Sequence, residues 1–230
     1  MLKKLRENFD EYNLKARVYP SIIALLPLFV FAFLIFHNSV GINAILSVLS
    51  SSAITIIVIY FISDVVRNLG KYMEIKIFSN ELNFPTAEIL LNTNTHISNE
   101  KRDQIYNKIK NDFDFSLFSL EEEKNNEKQA RQKIKEATGL IRQKVGNGRL
   151  LLQYNIRYGF WRNLIGVSLI SQLMSIIAWL FFYINLNLAA CFIFVTFFAC
   201  YLVIFIFKKQ LLEFFGYQYA EQLLLEYLSQ

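Results

Sequence analysis

The sequence predicts an all-α membrane protein, with four transmembrane helices in two hairpins and a mainly helical cytosolic insert between them. Three observations carry this. Of the 230 residues, 54% are hydrophobic and 16% aromatic, more apolar than a soluble domain of this length requires. The excess is gathered into residues 19–63 and 164–207, neither of which contains a Lys, Arg, Asp or Glu. A charge at mid-bilayer costs about 2.5 to 3.5 kcal/mol on insertion scales, so uncharged stretches of this length point to lipid. Finally, each stretch is roughly twice the ~20 residues that span a hydrocarbon core, and each is interrupted once by polar residues.

Residues 1–18 place Leu2, Leu5, Phe9, Tyr12, Ala16 and Tyr19 at steps of three and four beside Lys3, Lys4, Glu7, Asp10 and Lys15. That is the pattern of an amphipathic helix. It is expected to lie on the inner leaflet or to pack on the C-terminal tail. The first hairpin, 19–63, is divided by His37, Asn38, Ser39, Gly41 and Asn43 into helices near 20–36 and 44–63. A second apolar span follows at once and no small-residue cleavage site ends the first, which argues against a signal peptide. Pro27 is expected to kink its helix or to open a broken-helix ion site.

The insert, 64–163, begins by continuing the second membrane helix to about residue 80, with Gly70 as a weak point. Pro85 and three Asn in 83–94 predict a turn and then irregular chain. Ser98 or Asn99 can cap a helix to about Asp112 with Ile105 and Ile109 on one face. Ser119 followed by Glu122 is a capping box, and one long helix is expected over 120–145, stopped by Gly146. Its apolar stripe of Ala130, Ile134, Ala137 and Ile141 is thin, which suits contact with a second copy or a soluble partner through Ile134 and Ile141. Residues 150–162 lead into the second hairpin, 164–207, which turns at Asn185 and Asn187. The tail, 208–230, is again amphipathic, with Leu212, Phe215, Tyr219, Leu223 and Tyr227 at helical spacing.

Five of the 24 Lys and Arg precede the first hairpin, seventeen lie between the hairpins and two follow the second. The positive-inside rule then puts both termini and the insert in the cytosol. The net charge of +5 reads as this topology signal and as attraction to anionic lipid; no aromatic-interleaved basic groove indicates nucleic acid. Cys191 and Cys200 stand nine residues apart on one predicted helix, about 13 Å, too far to pair. With His37 and His96 isolated, no metal site assembles. No phosphate loop, paired zinc spacing or nucleophile elbow is present, so no catalytic residue and no cofactor is expected.

Polar residues inside the apolar helices are the first candidates for function. Ser47, Ser51 and Thr55 make one stripe; Ser168, Ser171, Gln172 and Ser175 make another. Small polar residues at this spacing let helices pack closely, and in an assembly of several copies they could instead line a hydrated pore. The cations Arg67, Lys71, Arg157 and Arg162 fall within about three turns of the expected inner surface. They could bind lipid phosphate, pair with Asp64 and Glu74, or take a cytosolic anion such as a nucleotide.

Two stretches are dense in distinctive residues: Gly70, Lys71, Glu74, Pro85 and Thr86 in one, and Tyr158, Gly159, Phe160, Arg162, Asn163, Leu164 and Gly166 in the other. The G-K-x-x-E, P-T and Y-G-F-x-R-N-L-x-G patterns resemble an uncharacterised family of four-helix bacterial inner-membrane proteins over roughly residues 67–166. Leu82, Asn83 and Phe84 stand where that family carries Trp-Gly-Gly. The resemblance implies topology and a bacterial inner membrane, and no mechanism. Three functional classes are therefore expected. The first is an oligomeric membrane effector or channel-like protein, of the kind found in bacterial defence, whose cytosolic domain senses a ligand or partner. The second is a scaffold or accessory subunit that docks a soluble cytosolic protein. The third, a small transporter, is the poorest fit, because no intramembrane charge is available for coupling.

Overall fold

The computed structural model describes residues 10–36, 52–146 and 148–230, with side chains throughout except at 52–55. Residues 1–9, the first polar turn with His37, Ser47, Ser51 and the side chain of Thr55 lie outside this description.

All regular structure among the described residues is helical. The helices are α1 (Glu11–Ala24), α2 (Leu26–Phe36), α3 (Ser52–Phe78), α4 (Pro85–Glu88), α5 (Asn99–Phe113), α6 (Leu120–Asn125), α7 (Glu127–Val145), α8 (Arg149–Ile184), α9 (Leu188–Ile206) and α10 (Lys208–Ser229). α8 and α9 are each long and apolar enough to cross a membrane, and α1 with α2 passes the same test as one span bent by 45°. The chain divides into two compact units, residues 1–74 with 159–209 and residues 75–158 with 210–230.

In the first unit, Asp10 caps α1 by accepting from the Asn13 amide at 2.7 Å. The helix widens into a π turn over Leu14–Val18, which brings Leu14, Ala16 and Val18 all into the interior. From Asp10 onward the segment read as an amphipathic helix is continuous with the first apolar run and packs one face on this unit, with Asp10, Glu11 and Lys15 exposed. The bend that follows has its cause in Pro27, which has no N–H to offer the Ile23 carbonyl four residues back. The Tyr201 hydroxyl donates to that carbonyl instead, and the Ser171 hydroxyl donates to the Ala24 carbonyl at 2.9 Å.

α8 in this unit is inside-out by the standard of a soluble helix. Leu169, Leu173 and Ile177 are 42%, 60% and 64% exposed, whereas Ser168, Ser171, Gln172 and Ser175 are buried. An outward apolar face of this extent suits contact with lipid or with another apolar surface. After Ile184 the chain turns at 185–187, the Asn187 side chain caps α9 through the Ala190 amide at 3.1 Å, and Phe182 stacks on Phe194 with 5.6 Å between ring centroids.

The second unit has a core of its own. α7 contributes Ile134 and Ile141, 2% and 0% exposed. The thin stripe expected to face a second copy or a soluble partner is therefore enclosed by the same chain. The single helix expected over 120–145 is two: Asn126 takes an extended φ of −148°, ends α6 and caps α7 by accepting from the Gln129 amide at 3.2 Å. The capping box at Ser119 and Glu122 is formed, and α5 starts at its Ser98 cap with Ile105 and Ile109 buried.

The stretch expected to be irregular contains the short α4 and then turns held by side chains from elsewhere. Glu123, only 3% exposed, accepts from the Asn92 amide and side chain, each at 2.8 Å. Tyr106 donates to the Leu90 carbonyl at 2.6 Å. α10 closes this unit. Leu212, Leu223 and Tyr227 are buried, the Tyr227 hydroxyl donates to Asp112 at 2.8 Å, and Glu226 accepts from the Leu151 amide at 2.9 Å.

Candidate functional site

Gly70 to Glu74 of one distinctive stretch and Gly159 to Gly166 of the other meet inside the first unit, where α3 crosses α8 at a pair of glycines. A Cβ placed on Gly166 would lie 2.4 Å from the Gly70 nitrogen and 2.5 Å from its Cα; one placed on Gly70 would lie 2.5 Å from Asn163 Oδ1. Only hydrogen fits between these backbones. Next to the crossing, Asn163 is fully buried and its Nδ2 donates to the Ala16 carbonyl at 2.6 Å, joining α1 to α8. One turn along α3, Glu74 faces Arg162 at 3.6 Å with side chains 6% and 12% exposed. A buried pair of this kind contributes little net stability but makes removal of one partner costly.

The four cations of the sequence reading separate here. Arg162 pairs with Glu74, and Arg67 lies 3.6 Å from Asp64. Lys71 is exposed. Arg157 belongs to the second unit and lies over the Tyr154 ring. Two of the four thus make the carboxylate pairings that were one of the three alternatives.

The polar stripe of α8 is also accounted for. Ser168 donates to the Ile165 carbonyl at 2.8 Å, Ser175 to the Ser171 carbonyl at 2.7 Å, and Ser171 to Ala24 as above. Gln172 Nε2 donates to the Tyr201 carbonyl at 3.4 Å. Ser171 and Gln172 thus join α8 to other helices, while Ser168 and Ser175 bond to carbonyls of α8 itself.

Not every polar atom of the unit is satisfied. α1 and α3 form the walls of an open cavity of about 50 Å³ lined by Asn13, Arg17, Val18, Tyr60, Ser63, Asp64 and Arg67. Arg17 Nε, Ser63 Oγ and Asn13 Oδ1 are buried there without a hydrogen-bond partner. Arg67 and Arg162 both lie within electrostatic reach of Arg17. Arg17, Ser63 and Asn13 were not among the sequence candidates. The available signal was a cation two residues before an apolar block and a serine at the end of the next apolar run, neither of which announces that the two are neighbours.

In the second unit the ionisable groups with partners are structural. The Lys144 ammonium and then the Tyr227 hydroxyl, both bonded to Asp112, hold its carboxyl below the ordinary carboxylate range. Burial and Asp112 together push the Tyr227 hydroxyl up. Backbone and side-chain bonds from Ser119 hold Glu122 down, as a capping box requires.

No protein-family model matches the chain, and no curated protein and no solved structure does.

Proposed function

We propose that the chain is a four-span protein of a bacterial inner membrane, its apolar stretches arranged as two hairpins with both termini and residues 64–163 in the cytosol. Its function in this reading is that of a scaffold or accessory subunit, in which a packed membrane anchor carries a helical unit that docks a soluble cytosolic protein. One observation carries the choice of anchor over pore: Ser168, Ser171, Gln172 and Ser175 all find acceptors within the same chain. A hydrated lining would have to give up the two that cross between helices, from Ser171 to Ala24 and from Gln172 to Tyr201. The apolar outward face of α8, the cation distribution and the resemblance to four-helix bacterial inner-membrane proteins support the topology.

Reporter fusions at Asn38, Asn125, Asn187 and Gln230 test the topology. External signals at Asn38 and Asn187 with internal signals at the other two are expected, and an external signal at Asn125 overturns it. Ion flux across vesicles holding the purified chain tests the function. The scaffold reading expects flux no greater than in protein-free vesicles. Depolarisation by the wild type that Gln172→Leu abolishes would overturn it in favour of the oligomeric, channel-like effector.

A further inference from the structure

Protein interiors leave few polar atoms unpaired, and each exception calls for an explanation. Three such atoms belong to residues that line one small cleft in the first unit: a guanidinium N–H of Arg17, the hydroxyl of Ser63 and the amide oxygen of Asn13. Ser63 is 4% exposed. A helical serine ordinarily satisfies itself on the carbonyl one turn back, as Ser175 does with Ser171; Ser63 makes no such bond. The orientation of Asn13 is fixed independently. Its Nδ2 donates to Asp10 Oδ2 at 2.7 Å, and a carboxylate can only accept, so the other end of the amide is the oxygen.

The charge balance has the same direction. Arg17 and Arg67 both line the cavity, against the single carboxylate of Asp64, which already faces Arg67 at 3.6 Å. Asp10 is the other carboxylate within electrostatic reach of Arg17; both of its oxygens accept from Asn13, and the Arg17 Nε is left without an acceptor. The space is about 50 Å³ and open on one side, room for a small anionic group beside these side chains.

We propose that this cavity binds the phosphate group of a lipid headgroup, with Arg17 Nε and Ser63 Oγ donating to its oxygens, Arg67 supplying the second positive charge and Asn13 Oδ1 accepting from a headgroup hydroxyl. The lipid source rests on the four-span reading, which puts Ser63 at the cytosolic end of the second span, level with phosphates. The binding chemistry does not depend on it. A guanidinium and a hydroxyl converging on a phosphate make charge-assisted bonds stronger than neutral ones, and they would complete the valence of the atoms left open.

The test is a titration of the purified full chain in non-ionic detergent with three probes: short-chain phosphatidylglycerol, the matching phosphate-free diacylglycerol, and inorganic phosphate. Saturable binding of the phosphatidylglycerol and none of the diacylglycerol is expected. Arg17→Gln should weaken it by about tenfold or more and Ser63→Ala by about threefold to tenfold. Ser63→Ala also guards against misfolding. Its hydroxyl has no partner to lose, so the unliganded protein should melt at or above the wild-type temperature while binding less. Inorganic phosphate bound with the same sensitivity to both substitutions would support the site and assign it to free phosphate. Equal binding of the two lipids, or an affinity that Ser63→Ala leaves unchanged, overturns the proposal. Because the titration is done in detergent, a failure of the topology in the reporter fusions would be seen separately.

Discussion

Substituting Gly166 by alanine should force α3 and α8 apart, and the structure sets the size of the effect. The new methyl carbon would sit 2.4 Å from the Gly70 nitrogen, 2.5 Å from its Cα and 2.7 Å from the Leu69 carbonyl carbon. These are backbone atoms that no rotamer change can move. Ordinary contact begins near 3.4 Å, so the helices must separate by about 1 Å. Overpacking of this kind costs about 1 to 3 kcal/mol, and stretching the Asn163 bond to Ala16 adds about 1 kcal/mol. Replacing glycine in a helix interior returns about 1 kcal/mol. The expected net loss is about 1 to 3 kcal/mol. Thermal unfolding of the purified chain in mild detergent measures it, with Gly139→Ala as the control. Nothing lies within 4 Å of a Cβ at Gly139, so that variant should gain about 0.8 to 1 kcal/mol. Should Gly166→Ala melt at or above the wild type, the close crossing does not hold the two helices together.

Arg162→Met alone should destabilise by about 3 to 5 kcal/mol, because it leaves the buried Glu74 carboxylate facing an apolar group; adding Glu74→Leu should recover most of the loss in the same melt. A double variant as unstable as the single one would refute the pairing. Tyr201→Phe should cost about 1 kcal/mol by removing the donor to the Ile23 carbonyl, and the cost should shrink toward zero in a Pro27→Ala background, where residue 27 supplies the missing amide. Asp112 has its folded pKa held below the unfolded one, so its bonds stabilise above the unfolded value of about 3.9 and are lost as pH falls through the lower folded value. The gap in melting temperature between wild type and Asp112→Asn should therefore close on acidification, and a gap constant from pH 6 to pH 2 would contradict it.

Periodicity made most helices legible in advance, because it reports which face of a segment is apolar whatever the segment packs against. The Ser98 and Ser119 caps and the α8 to α9 turn at 185–187 were visible for the same local reason. Partners distant in sequence were not. Gly70 and Gly166 are separated by 96 positions, and nothing near either says that the other is its neighbour. Ile134 and Ile141 showed a thin stripe, which reads the same for a contact between copies as for one enclosed within the chain, where α7 packs against α4 and α5. Glu123 read as one of three acids at a helix start, and only its burial reveals that it holds the turn at Asn92. The break at Asn126 was hidden by good helix formers on either side, although asparagine's preference for a cap position was present in the sequence. Of the candidate site, Arg67 lay within the cluster that was read; Arg17 and Ser63 emerge only once α1 lies against α3.

The closing of the second unit by α10 sets an order of assembly. Tyr227 meets Asp112 across 115 positions, and Glu226 meets Leu151 across 75. Contacts of such separation form late, since a long intervening loop must close first. Here that loop contains the second apolar stretch, 164–207. During synthesis the helices from Pro85 to Val145 emerge without the partner that covers them and must wait while the following residues are made. Only when α10 has left the ribosome can Leu212, Leu223 and Tyr227 take their places. A transcript cut short within α10 would yield a protein with every apolar stretch intact and a second unit that never finishes folding, a natural substrate for quality-control proteolysis.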